Sequence, residues 1–434
     1  HIFTMSTLDL ELNEKRFIDL LGKVIGHTEK LQNKPPKLVP QETLVGDDVL
    51  SVLDPYLEKN GGVIKVERIE YHKGRNNLIV TYPGTTDKTI SFVGMHMDVV
   101  TATPSEWEVD PFKLKIDGDK LWGRGTTDCL GHVCLVTDLL ATLAEKKIAL
   151  KHSIIAVYIA DEEHGEDPEI GIEHLAKDGH LKRCSKGPVF WMDSADKQPC
   201  VGTGAFVGWT LKADGYKGHS GVPQNTINPI ILANQALAKI LDRFHKEFPE
   251  HKLEKDYGFK NPSTMKPTQI SCPPGSLNQI PSESTIRGDI RMTPFYDLDK
   301  VKSRVLEYVK DLNDNIEDIE TGCSSFKNKL PNGEVGKITF TFDEEIKGVY
   351  CDKETVGFKA LSQATEKVLG KCEPFAVTGS LPLIADLKNQ GLDLQICGYG
   401  VMKVYHAVNE YCTLSGMKEG YDIIKRVIDY CEKQ

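Results

Sequence analysis

The segment FVGMHMDVV, residues 92–100, places an imidazole and an acid, His96 and Asp98, one residue apart at the end of an apolar run. The preceding TISFVG has the β-branched and aromatic composition of a buried strand. Residues two apart on an extended chain project to the same side, so both side chains should face one place. Taken alone, this pattern is more often a structural pair, in which a carboxylate stabilises a partly buried histidine. Whether the pair belongs to a functional site depends on the other segments of the chain.

Unusual polar residues also follow other apolar runs. The pattern predicts strands over 76–82, 89–94, 153–160 and 188–193, with a helix over 129–147 between the second and the third. Continuous apolar strands separated by a helix predict an α/β sheet covered on both faces. In such sheets ligands gather beyond the carboxyl ends of the strands. DEEHG, with Glu162 and Glu163, follows the third predicted strand, and Asp193 ends the fourth.

Two further candidates lie outside these strands. Asp128, in LWGRGTTDCLG, precedes the predicted helix, where a carboxylate is also favourable for the helix dipole alone. His406 lies in the glycine-rich stretch ICGYGVMKVYHAVNEYC. Two histidines and at least three carboxylates, with no cysteine at ligand spacing, suit zinc or cobalt better than copper or an iron–sulfur cluster. Five ligands with one carboxylate shared would fit two metal ions roughly 3.5–4 Å apart.

The composition excludes several classes of protein. A chain of 434 residues is long enough for two domains, and its net charge of −10 argues against nucleic acid or an anionic membrane as the main partner. No apolar run approaches the roughly 20 residues that span a bilayer. Eleven cysteines without a CxxC pair predict reduced thiols and a cytoplasmic location. The polar, proline-containing segment 246–269 is predicted to be a surface excursion.

The motifs GMHMDVV, GRGTTDCLG, DEEHG, WMDSAD and YHAVNE occur in the order found in the M20 family of co-catalytic zinc amidohydrolases and peptidases. The chain resembles this family from about residue 15 to its last residue, and blocks such as GSLNQIPSESTIRGDIRMTPFYD look most like its eukaryotic acetylornithine deacetylase branch, of plant and slime-mould type. The resemblance implies an α/β, di-zinc aminopeptidase-like catalytic domain over residues 1–201 and 346–434. It also implies a smaller inserted α+β lid and dimerisation domain over residues 202–345.

The resemblance further implies roles for residues of the catalytic domain. His96 would bind one metal ion and His406 the other, and Asp128 would bridge the two. Glu163 and Asp193 would complete opposite sites; Asp196 is the alternative to Asp193, which is preferred because it ends a strand. Glu162 would be the general base. Asp98 would hold the His96 ring in the tautomer that binds metal.

The resemblance also implies substrate-binding roles for residues of the lid and of one loop. His219, in GHSG, matches a histidine that polarises the substrate carbonyl in the partner subunit's active site. Asn278 and Arg291 match positions linked to substrate recognition, although Arg291 could equally be a surface arginine at a strand end. In VTGSLPLIADL, residues 377–387, Gly379 and Ser380 keep small hydrogen-bonding groups, but Leu381 replaces an acidic residue of the family's GGTDA-type loop. This departure weakens any transfer of detailed substrate contacts.

The activity implied is hydrolysis of N2-acetyl-L-ornithine to L-ornithine and acetate, a step of arginine biosynthesis. It would use two divalent ions per subunit, Zn²⁺ or Co²⁺, a small N-acyl amino acid as substrate, and a homodimer formed through the lid. The alternatives within the family are an aminoacylase, a desuccinylase and a dipeptidase. An alternative of another class is a metal-bound regulatory protein without catalysis, against which Glu162 and every implied ligand are present.

Overall fold

The computed structural model describes residues 8–164, 169–379, 381 and 384–434. Among these the chain forms two compact units. Unit 1 comprises residues 8–201, 351–375 and 384–434, and unit 2 comprises residues 202–350 and 376–381. The catalytic and lid roles implied for the corresponding segments stay predictions.

The helices of the described residues are α1 Glu14–Ile25, α2 Thr43–Leu53, α3 Leu130–Glu145, α4 Ile172–Lys177, α5 Pro229–Glu247, α6 Lys252–Tyr257, α7 Leu298–Asp314, α8 Val356–Leu369, α9 Ile384–Asn389 and α10 Leu414–Glu432. The strands are β1 Lys65–His72, β2 Arg75–Tyr82, β3 Thr89–His96, β4 Lys115–Asp117, β5 Lys120–Trp122, β6 Ser153–Ile159, β7 Pro188–Trp191, β8 Cys200–Thr203, β9 Ala205–Asp214, β10 Gly218–His219, β11 Thr264–Ser271, β12 Gln279–Ile280, β13 Glu283–Met292, β14 Lys337–Ile346, β15 Val349–Tyr350, β16 Phe375–Val377, β17 Asp393–Ile396 and β18 Tyr411–Thr413. The four predicted strands correspond to β2, β3, β6 and β7, and the predicted helix to α3.

The central sheet of unit 1 has the strand order β1–β2–β6–β3–β7–β17–β8, and β8 is the strand along which the chain leaves this unit. Strands β6, β3, β7 and β17 run parallel, whereas β1, β2 and β8 pair antiparallel with their neighbours. The parallel strands are almost entirely buried, as expected for a sheet covered on both faces. Their carboxyl ends share one edge of the sheet, and the mixed α/β fold predicted from the sequence is confirmed.

Helix α3 holds the segment before it in the interior of unit 1. Every residue from Leu130 to Leu143 is buried, because α1, α2 and α10 pack around the helix. A helix that is buried around its whole circumference lies within the core of a domain. The residues that lead into α3, Asp128 among them, are therefore fixed at the sheet edge.

Strand β3 contains an irregularity just before its functional end. Gly94 has a φ of +79°, and a Cβ atom there would lie 2.4 Å from the indole of Trp191. The β3–β6 register shifts between Phe92 and Met95, which is the signature of a bulge. Bulges re-aim the side chains that follow them. A side chain at position 94 is excluded, and the strand end that carries His96 turns at this point.

Unit 2 is built on a four-stranded antiparallel sheet of order β11–β13–β9–β14. Helices α5 and α7 pack on this sheet over a core that includes Trp209 and Phe340, whose rings stack with centroids 5.5 Å apart. Asn228 and Asp297 cap the two helices by accepting backbone N–H groups of the first turn. A separate two-stranded ribbon pairs β10 with β12.

Residues 246–269, predicted to be a surface excursion, are mostly exposed, but they form regular elements rather than a loop. The segment contains α6 and most of β11, and the Glu254 side chain is buried, where it accepts a hydrogen bond from the Thr293 hydroxyl at 2.8 Å. The polar composition reflects the outer position of β11, whose side chains are mostly exposed. An outer strand also tolerates Pro267, which would break a central one.

None of the described helices combines the length and the apolar character needed to cross a bilayer. All eleven cysteines are free thiols.

Candidate metal centre

The structure gathers six side chains at the carboxyl edge of the parallel strands. They end β3, follow β6, β7 or β17, or precede α3: His96, Asp128, Glu162, Glu163, Asp193 and His406. Five of these side chains are at most 7% exposed, whereas that of His406 is 57% exposed. Residues up to 310 positions apart are thus brought to one edge by the parallel strands, as the sequence pattern predicted.

Asp128 lies between the two histidines. Its Oδ1 is 2.9 Å from Nε2 of His96, and its Oδ2 is 3.0 Å from Nε2 of His406. Oε2 of Glu163 lies 3.1 Å from the same nitrogen of His406, and Oδ2 of Asp193 lies 3.9 Å from Nε2 of His96. The cluster therefore consists of two half-sites, one with His96 and Asp193 and one with His406 and Glu163, which share Asp128.

The acids of the cluster repel one another in a buried environment. Burial, reinforced by the charge of Asp128, raises the pKa of Glu163 to about 8 and the pKa of Asp193 to about 7. Burial also raises the pKa of Glu162 well above its usual value. At Asp128 burial acts in the same direction, but hydrogen bonds from His406 and His96 outweigh it and lower the pKa. A cluster of this kind gains stability from a cation placed among the carboxylates.

The two imidazoles respond in the opposite direction. Hydrogen bonds to Asp128 and Glu163 raise the pKa of His406 to about 11. Burial opposes the charge on His96, yet nearby Cys129 and Asp128 raise its pKa. The neighbouring acids therefore favour the protonated form of both rings in the metal-free centre. A divalent ion that binds to the two imidazoles would displace their extra protons, because histidine binds metal in its neutral form.

The donor set fits divalent metal ions. Ligand atoms of His96, Asp128 and Glu163 all lie within 4.8 Å of one another. Oε1 of Glu163 is buried and has no hydrogen-bond partner among the described residues, so it has an unused lone pair at the cluster. Imidazole nitrogen and carboxylate oxygen are ligands of zinc and cobalt. These observations support a metal centre at this edge.

One cysteine comes closer to the cluster than its sequence spacing indicated. Cys129 directly follows Asp128 in the chain. Its thiol sulfur lies within 4.8 Å of ligand atoms of His96 and Asp193. Burial raises its pKa to about 12, and a thiol binds metal as the thiolate. Its sulfur accepts a hydrogen bond from the backbone N–H of His96 at 3.2 Å. Through this contact Cys129 supports the end of β3.

Asp98 has a wider role than the one predicted for it. Nδ1 of His96 lies 3.0 Å from the backbone carbonyl oxygen of Asp98 and 3.5 Å from its carboxylate. The carboxylate instead accepts the backbone N–H groups of Glu162, at 3.1 Å, and Glu163, at 2.9 Å. The backbone of Asp98 thus orients the imidazole ring, and its side chain holds the segment that carries the two glutamates.

Glu410 is a functional residue that the sequence argument missed. This fully buried carboxylate accepts the backbone N–H groups of Gly125, Thr127 and Asp128 at 2.9–3.0 Å, and the Arg124 guanidinium donates to it at 2.8 Å. It therefore fixes the backbone that carries the shared aspartate. Its presence four residues after His406 was visible in YHAVNE, but its backbone partners lie more than 280 positions away.

The two aspartates considered for the fifth ligand lie in different environments. Asp193 is buried in the cluster, where the hydroxyl of Tyr405 donates to its Oδ1 at 2.9 Å. Asp196 is exposed, and its Oδ1 accepts the backbone N–H of Met402 at 3.1 Å. Tyr405 was not singled out in the sequence, although it directly precedes His406. The geometry favours Asp193 as the ligand.

Unit 2 carries the residues implied in substrate recognition. Nδ1 of the exposed His219 accepts the backbone N–H of Gly221 at 3.0 Å, so the neutral ring carries its proton on Nε2. His219 pairs with Gln279 in the β10–β12 ribbon, and the Ser220 N–H donates to the carbonyl of Asn278 at 2.9 Å. The ribbon therefore brings His219 and Asn278 together.

The remaining candidates are held less tightly. The Arg291 guanidinium lies 4.6 Å from the ring centroid of Phe206, and its Nε is 3.9 Å from the Asp289 carboxylate. The carbonyl of Gly379 accepts the N–H of Gly204 at 2.9 Å. Ser380 lies outside the described residues. The roles of these residues stay predictions.

Comparisons with known proteins agree with this architecture. Residues 92–430 match the family model described as peptidase family M20/M25/M40. The chain is 50% identical to acetylornithine deacetylase of Arabidopsis thaliana over 97% of each chain, and 47% identical to acetylornithine deacetylase of Dictyostelium discoideum over 99% of this chain and all of the relative. Its fold is similar to that of a dinuclear metal-binding M20 peptidase of Bacillus subtilis, with a TM-score of 0.60 at 14% identity over 97% of this chain and 99% of the other. The chain therefore belongs to peptidase family M20/M25/M40.

Proposed function

We propose that this chain is a metal-dependent amidohydrolase that converts N2-acetyl-L-ornithine into L-ornithine and acetate. The observation that carries the proposal is the 50% and 47% identity, over nearly complete chains, to two proteins named acetylornithine deacetylase. The gathered histidines and carboxylates supply the chemistry that such a reaction requires. Ornithine as the product would place the reaction in arginine biosynthesis, and the free thiols support a cytoplasmic location.

His96, Asp128 and Asp193 would hold one divalent ion, and His406, Asp128 and Glu163 would hold the second. When bound, zinc or cobalt supplies Lewis acidity, which polarises an amide carbonyl and makes water more acidic. The two oxygens of Asp128 each face a different histidine, which suits a shared ligand. Glu410 and Asp98 would keep the ligand segments in place through backbone N–H groups.

Glu162 is the residue that moves the proton. Its Oε2 lies 4.0 Å from Nε2 of His96, and burial raises its pKa, so its carboxylate accepts a proton more readily than an exposed glutamate. Glu162 takes a proton from the attacking water as the oxygen of that water bonds to the acetyl carbon. It returns the proton to the α-nitrogen of ornithine as the C–N bond breaks, so the glutamate is regenerated.

The remaining contacts are proposed to come from unit 2 in a homodimer. Nε2–H of His219 would donate to the substrate carbonyl in the partner's site, a contact that gains strength as negative charge develops on that oxygen. Asn278, Arg291 and Gly379 would bind the other polar groups of the substrate. The outer position of β11, with Ile270 59% exposed, and the full exposure of Leu277 support unit 2 as the dimer surface. A monomeric variant is expected to bind zinc normally but to turn over slowly.

The test is acetate release from N2-acetyl-L-ornithine by the purified chain, with a chelator and after zinc or cobalt is added back. Activity that the chelator removes and the metal restores supports the proposal. Faster turnover of acetylmethionine, succinyl-diaminopimelate or a dipeptide would transfer the assignment to another activity of the family. About two zinc ions per chain with no hydrolysis of any of these substrates would instead indicate a regulatory protein.

A further inference from the structure

A buried polar network lies behind the two glutamates of the metal centre. The side chain of Asn33 is 6% exposed, and its Nδ2 donates to Oδ2 of Asp98 and to Oδ1 of Asp161, both at 2.8 Å. Because both neighbours are acceptors, the orientation of the amide is fixed by chemistry. One NH₂ group thus joins a carboxylate that follows β3 to a carboxylate that follows β6.

Arg75 extends the network away from the metal centre. Its Nη2 donates to Oδ1 of Asp161 at 2.9 Å, and its Nε and Nη2 bind the two oxygens of Glu42 at 2.7 Å each. Arg75 and Glu42 are 3% and 0% exposed. A guanidinium held in this two-pronged way is rigid as well as charged. It is therefore a fixed anchor for Asp161.

Asp161 is the residue whose conformation decides where the glutamates point. It has a φ of +59°, a left-handed conformation that non-glycine residues seldom adopt, and it directly precedes Glu162 and Glu163. Such a residue keeps this conformation where its surroundings impose it. Asn33 and Arg75 hold its side chain, while Asp98 holds the N–H groups of the next two residues. Hydrogen bonds therefore hold both the side chain of Asp161 and the backbone that follows it.

We propose that Asn33 and Arg75 are positioning residues of the metal centre. Through Asp161 and Asp98 they fix the turn that aims Glu162 and Glu163, so they set metal affinity and turnover without contacting metal or substrate. The inference rests on the proposed metal centre. Residues that orient ligands in this way typically change metal affinity by about 10–100-fold when they are replaced.

The competing explanation is that the network serves folding alone, since most buried polar groups of folded proteins are hydrogen-bonded. Asn328 of unit 2 offers a matched control. It is 5% exposed, and its Nδ2 donates to the carbonyls of Ile316 and Ile319 at 3.2 and 3.0 Å. Asn328→Ala removes two hydrogen bonds from an equally buried amide. A folding role predicts that Asn33→Ala and Asn328→Ala lose stability alike and leave zinc binding unchanged.

The experiment compares wild type, Asn33→Ala, Arg75→Lys and Asn328→Ala as full chains. The zinc dissociation constant is measured by competition with a chromophoric chelator, and amide hydrogen exchange at Glu162 and Glu163 is measured in the metal-free proteins. We expect zinc affinity about 10–100-fold weaker in Asn33→Ala and Arg75→Lys and wild-type affinity in Asn328→Ala. Exchange at the two glutamates should be faster in the first two variants only. Turnover of acetylornithine should fall in kcat more than KM rises.

Folded Asn33→Ala and Arg75→Lys proteins that bind zinc like the wild type would refute the positioning role. If Asn33→Ala does not fold, the positioning role is tested with Arg75→Lys, which keeps the positive charge. If neither variant folds, the network serves the stability of the fold. Wild-type protein that binds no zinc contradicts the metal centre itself. The two failures are therefore distinguishable.

Discussion

The metal centre of unit 1 and the recognition residues of unit 2 are built in different ways. The side chains of Asp98, Asp128 and Glu163 are buried at the carboxyl edge of the parallel strands, and each residue is held by two or more partners. His219 and Asn278 are exposed and are held by backbone pairing of a two-stranded ribbon. Groups proposed to bind a metal lie at the edge of a large buried sheet, whereas groups proposed to contact the substrate lie on a small exposed ribbon.

This contrast predicts which property each substitution changes. A change in the cluster of unit 1 should alter metal binding, because the ligands and their supports depend on one another. A change in the ribbon of unit 2 should leave metal binding intact and alter turnover. Zinc content and turnover, measured on the same protein samples, therefore test the comparison directly.

The largest effect is expected for Asp128→Asn, because this side chain belongs to both half-sites. The variant should lose both ions and reduce deacetylation by more than about a thousandfold, since metal chemistry contributes several kcal/mol to the reaction. Metal analysis and acetate release measure the two losses. Asp138→Asn is the control, because Asp138 is a buried carboxylate of α3 that binds Arg16 at 2.6 Å, remote from the cluster. Full zinc content in Asp128→Asn would contradict the shared-ligand arrangement.

A smaller effect of a different kind is expected for Glu162→Gln. The amide cannot accept the proton, so turnover should fall by about 100-fold or more while both ions stay bound. The control Glu254→Gln replaces a buried glutamate of unit 2 that accepts a hydrogen bond from Thr293. Near-normal turnover by Glu162→Gln would remove this residue from the mechanism.

In unit 2, His219→Ala should lower kcat by about 100-fold, because loss of one donor to a developing oxyanion has an effect of this size. Zinc affinity should equal that of wild type. His245→Ala, which replaces an exposed histidine of α5 that donates to the carbonyl of Leu241, controls for the loss of an imidazole. Full activity of His219→Ala would contradict the proposal that unit 2 contacts the substrate while unit 1 binds the metal ions.

The last effect concerns pH and needs no substitution. The pKa of Glu163 is raised to about 8, that of Asp193 to about 7 and that of His406 to about 11, so at lower pH the metal-free centre holds protons that zinc must displace. Zinc affinity should therefore weaken as the pH falls from 8.5 to 6, by about tenfold per pH unit for each displaced proton. Chelator competition at several pH values measures this slope. An affinity that is constant over this range would contradict the buried acidic cluster.

Short-range rules were sufficient for the strands and for the residues at their ends, whereas the places of Asp128 and His406 in the cluster were implied by the family resemblance. Apolar runs identified β2, β3, β6 and β7, and the strand-end rule placed His96 and Glu163 at one edge. The role of Asp98 was only partly predictable, because its carboxylate binds backbone N–H groups of residues more than 60 positions away. No local pattern records such a contact.

The supporting residues and β11 were missed for related physical reasons. Asn33, Arg75 and Glu410 act through partners distant in sequence, and each resembles an ordinary polar residue in its own segment. Strand β11 has a polar, exposed composition because only one of its edges is paired within the described sheet. Hydrophobic periodicity detects burial, and neither a buried polar contact nor an outer strand gives the expected signal.

The interruption in β11 limits what its outer edge can recruit. The register breaks between Pro267 and Gln269, so the strand offers two short regular runs rather than a continuous one. An unrelated extended peptide finds too few consecutive positions to join the sheet, which lowers the tendency of the chain to aggregate at high concentration. The interruption therefore limits unintended pairing of this outer strand with other chains.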